Sequence, residues 1–189
     1  MPLTKQHKYL TRQKILKVSG RLFRENGFDG ISIDRIMENC GLTRGGFYAH
    51  FSSKSELFSE VIRSDHDLLD RLEARQGISK QELLREARDI LGQYLSPVNY
   101  DKIANSCTIA ALVGDAVHAG KESKIAFSEA LKRFHNELQR SEVTEQKIWP
   151  IIVLTTGAMT LARSLMSKKE VNTLLLNCQK ELDLLMPEP

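Results

Sequence analysis

Thr43, Arg44 and Tyr48 follow a tight turn at Cys40-Gly41-Leu42. Thr43 can cap a short helix to about His50, which leaves a hydroxyl, a guanidinium and a phenol facing outward. Arginine can present two parallel N–H groups to a phosphate or to the edge of a guanine. The intervening Gly45 and Gly46 are poor helix formers, each costing about 1 kcal/mol relative to alanine. Either they mark a short, irregular helix, or their missing side chains let the backbone approach a base or phosphate closely. Reaction chemistry is not indicated. The chain has no GxSxG, P-loop or HExxH pattern, no paired-carboxylate spacing and no nucleophile–base pair. Its three cysteines, Cys40, Cys107 and Cys178, fit neither a disulfide framework nor a metal site. The expectation is a protein that is not an enzyme and needs no metal or cofactor.

Charge points the same way once it is resolved along the chain. The total of +3, from 27 basic and 24 acidic side chains, implies no partner. Residues 1–24, however, hold Lys5, Lys8, Arg12, Lys14, Lys17, Arg21 and Arg24 and nothing acidic. The remaining residues carry 20 basic against 24 acidic groups, a net of −4. A positive field gathered at one end suits a polyanion. The beginning of the chain is polar and basic, unlike a signal peptide, and no apolar run reaches the 18 or so residues of a membrane span. A reducing cytoplasm is expected.

The elements that would position these groups read as helices throughout. Ile15, Leu16, Ser19, Leu22 and Phe23 form one face of a helix from Thr11 to Asn26, stopped by Asn26-Gly27. Ser32 can cap a helix to Asn39, and Ser53 with Glu56 forms a capping box for a long helix to about residue 76. The stripe of that long helix is Leu57, Phe58, Val61, Ile62, Leu68, Leu69 and Leu72. Capping boxes recur at Ser79/Glu82 and Ser167/Glu170. Further helices are expected at about 79–95, 103–119, around 125–138, 145–167 and 167–185. With no convincing period-two segment, the chain is expected to be all-α with about nine helices.

Three short helices around the turn at Cys40-Gly41-Leu42 match a helix-turn-helix, whose second helix enters the major groove of DNA. Ile36, Met37, Leu42, Phe47 and Phe51 supply the small core that would fix the helix angle. At this point the residues reach a known family. ILKVSGRLFRENGFDGISIDRIMENCGLTRGGFYAHFSSKSEL, from Ile15 through Leu57, closely resembles the DNA-binding domain of TetR/AcrR-type transcriptional regulators. The matching elements are LFRENGF, Ser32, Ile36, Gly41-Leu42-Thr43, FYAHF and Ser53-Lys54 with Leu57. Ser19, Met37 and Cys40 stand where the family commonly has alanine, a change of packing only.

The resemblance implies a homodimer on a double-stranded, palindromic operator. It implies an N-terminal three-helix DNA-binding domain over residues 1–55, with its motif at about 32–51. Residues 56–189 would form a helical domain for effector binding and dimerisation. By the same resemblance Ser32 would hold a phosphate at a helix start. Thr43, Gly45 and Tyr48 would touch backbone or base edges, and Arg44 would read a guanine. His50 and Lys54 would approach phosphates. The basic arm of Lys5, Lys8 and Arg12 would add sequence-independent affinity or remain a solvated terminus.

The rest of the chain is quieter. Residues 151–165, IIVLTTGAMTLARSL, and the leucine-rich end from Val171 to Leu185 carry more apolar surface than one buried face needs. That suggests a four-helix interface between two subunits through residues about 145–186, or a hairpin buried within one subunit. A pocket for a small-molecule effector would draw on Tyr94, Cys107, Leu112, His118, Phe127, Phe134, His135, Trp149 and Met159, each equally open to plain packing. A ligand-responsive repressor is the leading expectation. The alternative is a redox or electrophile sensor using Cys107, which needs a helix N-terminus or a cation to depress its pKa.

Overall fold

Apolar spacing begins at Ile15, yet the first helix begins ten residues earlier. The computed structural model describes residues 5–64, 67–98 and 107–186, and in it α1 spans Lys5–Asn26. This corrects the expected start at Thr11. Residues 5–14 are exposed or half-buried all round the helix, so no stripe records their conformation. The basic arm is therefore the opening turns of α1. Gly27 ends the helix in the left-handed region (φ 73°), where an added Cβ would also lie 3.1 Å from Asp115 Oδ1.

Next come α2 (Ile33–Asn39), α3 (Arg44–Phe47), α4 (Lys54–Ser64), α5 (Asp67–Glu73), α6 (Lys80–Tyr94), α7 (Thr108–His118), α8 (Lys121–Arg140), α9 (Glu145–Ser164) and α10 (Lys168–Leu185). The described residues contain no strand, and the chain is all-α. The ten helical segments among the described residues compare with about nine expected, because the helix expected over 53–76 is described as α4 and α5. Residues 103–106, expected to open the helix before Gly120, lie outside the described residues.

The capping signals vary in their outcome. Ser79 and Glu82 form both bonds of a capping box. Ser167 accepts from the Glu170 N–H. Ser53 Oγ likewise accepts from the Glu56 N–H at 3.0 Å, but the Glu56 carboxylate turns one residue further back. It accepts the Ser52 N–H at 2.6 Å and the Ser52 hydroxyl at 2.5 Å. Those Ser52 bonds hold Glu56 below the ordinary carboxylate range.

By packing, the chain forms two compact units, residues 1–65 with 112–129 and residues 66–111 with 130–189. In the first, α1 packs on α4 and α2, and α2 on α3. Ile15, Phe23, Ile36, Phe47, Leu57, Phe58 and Ile62 are fully buried there. Phe58 meets Phe23 edge-on with centroids 5.0 Å apart and Phe28 at 4.9 Å. Residues 112–129 are tied in by polar bonds as well. Asp115 Oδ1 accepts the Phe28 N–H at 2.8 Å, Arg63 pairs with Glu129 at 2.8 Å, and the buried Ser59 and Ser123 hydroxyls lie 3.1 Å apart. In the second unit α9 packs on α10, and α6 on α5 and α10, around Leu69, Leu72, Leu91, Ile148, Ile151 and Leu175.

Candidate nucleic-acid interface

The turn between α2 and α3 depends on Gly41, which sits in the left-handed region at φ 65°. Beneath it Ile36, Met37 and Phe47 are fully buried and Phe51 is 2% exposed, whereas Leu42, expected with them, is half-buried. Ser19, Met37 and Cys40, the departures from the family pattern, are buried too and contribute packing. The helix built on this base is shorter than expected, one turn from Arg44 to Phe47 rather than a helix to His50. Two consecutive glycines give little helical propensity, and the chain leaves the helix through turn bonds from the His50 and Phe51 N–H groups to the Phe47 carbonyl.

Gly45 and Gly46 do not have positive φ. A Cβ built on Gly45 would meet no atom within 4 Å, and one on Gly46 would make ordinary contacts with Met37 Cε and Thr43 Oγ1. Neither backbone strain nor internal packing therefore calls for glycine at Gly45, whose open side faces away from the protein.

Around that opening stand the other candidate contacts. Thr43 is exposed and precedes α3 without a side-chain capping bond. Tyr48 is 54% exposed, its ring edge-on to Phe47 at 5.2 Å. Ser32 caps α2 by accepting the Arg35 N–H at 3.2 Å. Arg44 projects from the start of α3, but its Nη1 donates to Asp34 Oδ2 at 2.6 Å. The Tyr48 hydroxyl, and then the Asp34 carboxylate, hold the guanidinium above its ordinary pKa. Asp34 was not among the residues read from sequence. The signal available was an acid in the first turn of α2, ten residues before Arg44.

Two expected phosphate contacts sit deeper. Lys54 Nζ donates to the Phe28 carbonyl at 2.8 Å and the Ile31 carbonyl at 3.1 Å, and lies 4.3 Å from the Phe28 ring centre. Its ammonium clasps the loop between α1 and α2, with two bonds to backbone carbonyls. His50 is half-buried with Nδ1 lacking a partner among the described residues. Burial first, then Lys8 and Arg12, push its pKa below the ordinary value. Arg12 in turn pairs with Glu60 at 2.5 Å and lies 4.5 Å over the Phe51 ring.

The residues expected to line a pocket divide between the two units. Leu112, His118 and Phe127 belong to the first unit, and Tyr94, Cys107, Phe134, His135, Trp149 and Met159 to the second. His118 and Trp149 are exposed, whereas Tyr94, Cys107, Phe134 and Met159 are buried. Helical spacing identifies which face is apolar but not which faces share a cavity. Two surface hollows, one along Gln76–Asp89 and one along Arg88–Asp183, include none of these side chains. The Cys107 thiol stands just before α7 and accepts from the Ile109 and Ala110 N–H groups. Its burial nevertheless pushes the pKa up, opposite to the direction a reactive thiolate needs.

On the outer sides of α9 and α10, Val153, Leu161, Leu176 and Leu184 are between 50% and 71% exposed. The apolar excess seen in the sequence is thus not consumed by one chain. Among the described residues no helix is long and apolar enough to cross a membrane.

Comparison with known proteins agrees with this architecture. Residues 15–61 match the family described as bacterial regulatory proteins, tetR family. The HTH-type transcriptional repressor AcnR of Corynebacterium diphtheriae is 31% identical over 104 residues, 55% of this chain and 50% of that protein. The chain spans about a third to a half of the length of the first curated relatives it matches. The fold resembles a TetR transcriptional regulator from Chloroflexus aurantiacus, with a TM-score of 0.75, 19% identity and 95% of each chain covered. It also resembles AibR in complex with isovaleryl coenzyme A and operator DNA, with a TM-score of 0.61 and 14% identity over 95% of this chain and 100% of that one. Residues 15–61 are thus similar to the tetR family of bacterial regulatory proteins, and the fold is similar to that of solved transcriptional regulators.

Proposed function

We propose that this chain is a homodimeric transcriptional repressor that binds a palindromic DNA operator and is released from it by a small-molecule effector. The carrying observation is the surface formed by Thr43, Arg44, Gly45 and Tyr48. All four are exposed over a base of buried Ile36, Met37, Phe47 and Phe51, within a segment matching a regulatory family. Arg44 reads a guanine with the N–H groups not held by Asp34. The open side of Gly45 admits the backbone to the groove, while Thr43, Tyr48 and Ser32 take phosphate and sugar contacts that fix the register. The opening turns of α1 add positive charge toward the backbone, and His50 approaches a phosphate beside them. Lys54 serves by holding the loop that carries Ser32, with one ammonium proton left for a phosphate.

The domains divide by role at residue 55, with 56–189 serving partner and effector. The exposed apolar side chains of α9 and α10 support a self-complementary interface through residues about 145–186. Two-fold pairing would set two reading heads one DNA turn apart, about 34–36 Å. An effector is supported by the resemblance to AibR, which was solved in complex with both isovaleryl coenzyme A and operator DNA. Buried Tyr94, Phe134 and Met159 of the second unit are the candidates to line its site. Release follows when the effector favours a conformation that places the heads wrongly, by the difference in its affinity for the two states. Such a regulator works in the cytoplasm, where its DNA is.

The test begins by selecting operator duplexes from a random pool with the full chain. Arg44→Ala should then weaken operator binding about tenfold or more in a gel-shift titration and relax preference at one base pair in each half-site. Unchanged binding would refute the assignment of α3 as the reading helix.

A further inference from the structure

Arg44 and Asp34 form an ion pair on an open surface, with side chains 61% and 57% exposed. Exposed pairs of this kind contribute little to folding, so stability does not account for it. Asp34 also has a basic neighbour nearer in sequence, Arg35, which instead pairs with Glu38 at 2.8 Å. The carboxylate thus meets a group ten residues away across the turn, and that group is the cation proposed to read a base. The pair has two physical consequences. Anchoring Nη1 at 2.6 Å removes much of the rotational freedom of a long side chain, so that less is lost when its remaining donors meet a base. Meanwhile Asp34 places a fixed negative charge on a surface that approaches phosphates, which disfavours backbone contact with DNA of any sequence.

We infer that Asp34 is a specificity-determining residue, acting through Arg44. It aims the guanidinium for guanine and penalises binding to DNA that lacks the base Arg44 reads. This inference rests on the proposed role of α3. It concerns a residue that need not touch DNA.

The test measures Kd by fluorescence anisotropy for the full-length protein, on the selected operator and on a scrambled duplex of equal length, at two salt concentrations. Asp34→Asn should bind the scrambled duplex about two- to fivefold more tightly and the operator about two- to fivefold more weakly. The ratio of the two Kd values should then fall about tenfold. Asp34→Glu should restore most of the ratio. In an Arg44→Ala background, Asp34→Asn should change the ratio less than about twofold, because the side chain it acts through is gone. A ratio unchanged in Asp34→Asn overturns the inference, as does equal weakening on both duplexes with a lower melting temperature, which would mark Asp34 as a stabiliser of the start of α2. If Arg44→Ala alone binds both duplexes like wild type, the reading of α3 falls and this inference with it. If Arg44→Ala weakens the operator while Asp34→Asn is neutral, only this inference falls.

Discussion

Arg44 and Arg75 bring the same side chain into opposite surroundings. Arg44 stands on the open α3 surface with one carboxylate and one phenol beside it. Arg75 follows α5 with its side chain 1% exposed. Its Nε donates to the Leu72 carbonyl at 2.6 Å and its Nη1 to the Leu83 carbonyl at 2.7 Å and to the Ser141 hydroxyl. Nη2 donates to both the carbonyl and the carboxylate of Glu137, each at 2.8 Å. In the second unit one guanidinium thus joins α5, α6 and the end of α8. The contrast teaches where arginine's fork serves structure and where it remains available. Enclosed by acceptors, it is a knot. Held at one edge by an exposed partner, it is a recognition group in waiting.

Removing each should therefore damage different properties. Arg75→Met should lower stability by about 3–5 kcal/mol, because the Glu137 carboxylate and three backbone carbonyls lose a buried partner. Urea unfolding of the full chain would measure this. Arg75→Lys should recover only part, since an ammonium cannot span acceptors from three helices. At a temperature where the variant is still folded, its operator affinity should stay near wild type. A loss below about 1 kcal/mol for Arg75→Met would erase the contrast with Arg44, whose replacement should affect DNA binding while leaving the unfolding curve in place.

Lys54 tests a case between these extremes. Its two carbonyl bonds and its place over Phe28 make it a clasp in the first unit, next to the proposed DNA face. Lys54→Met should cost about 1–3 kcal/mol and weaken operator binding through the displaced α1–α2 loop. A lysine acting purely on phosphate would behave differently. Its loss would leave stability unchanged and would reduce the salt dependence of binding by about one counterion. The two measurements together place Lys54 on one side of the comparison or the other.

What could be read from the chain beforehand follows from how far apart the interacting residues lie. The stripe at Leu57, Phe58, Val61, Ile62, Leu68, Leu69 and Leu72 is buried throughout, because helical periodicity is local. The capping box at Ser79 and Glu82 formed for the same reason. The side-chain set on α3 was also legible, since its outward positions follow from the buried ones between them. Arg75 was silent in the sequence, because its acceptors at Glu137 and Ser141 lie more than sixty residues away. Asp34 and the inward turn of Lys54 were missed likewise, through partners supplied by the tertiary fold. The opening of α1 left no trace because its residues bury almost nothing. In α10 the excess of leucines was visible, but which of them a single chain leaves exposed was not. Leu175 and Leu182 are buried while Leu176 and Leu184 are open.

His50 offers the mildest and most discriminating probe of the α3 surface. Burial, Lys8 and Arg12 lower its pKa in the folded protein, whereas in the unfolded chain it titrates near 6.5. As pH falls through 6.5 the unfolded state takes up the proton first, so this group lowers stability on acidification and has no effect well above that pH. His50→Gln should remove that part of the decline between about pH 7 and the lowered folded pKa, and unfolding curves at a series of pH values would show it. Operator DNA should reverse the sign. A phosphate beside the imidazole favours its charged form and opposes the repulsion from Lys8 and Arg12. Wild-type operator affinity should therefore strengthen severalfold from pH 8 to pH 6 beyond any change seen in His50→Gln, a difference that binding titrations at matched ionic strength would resolve. If the two proteins keep the same pH dependence of binding while differing in that of stability, His50 belongs with Arg75 as a structural residue. The proposed DNA face then ends at Tyr48.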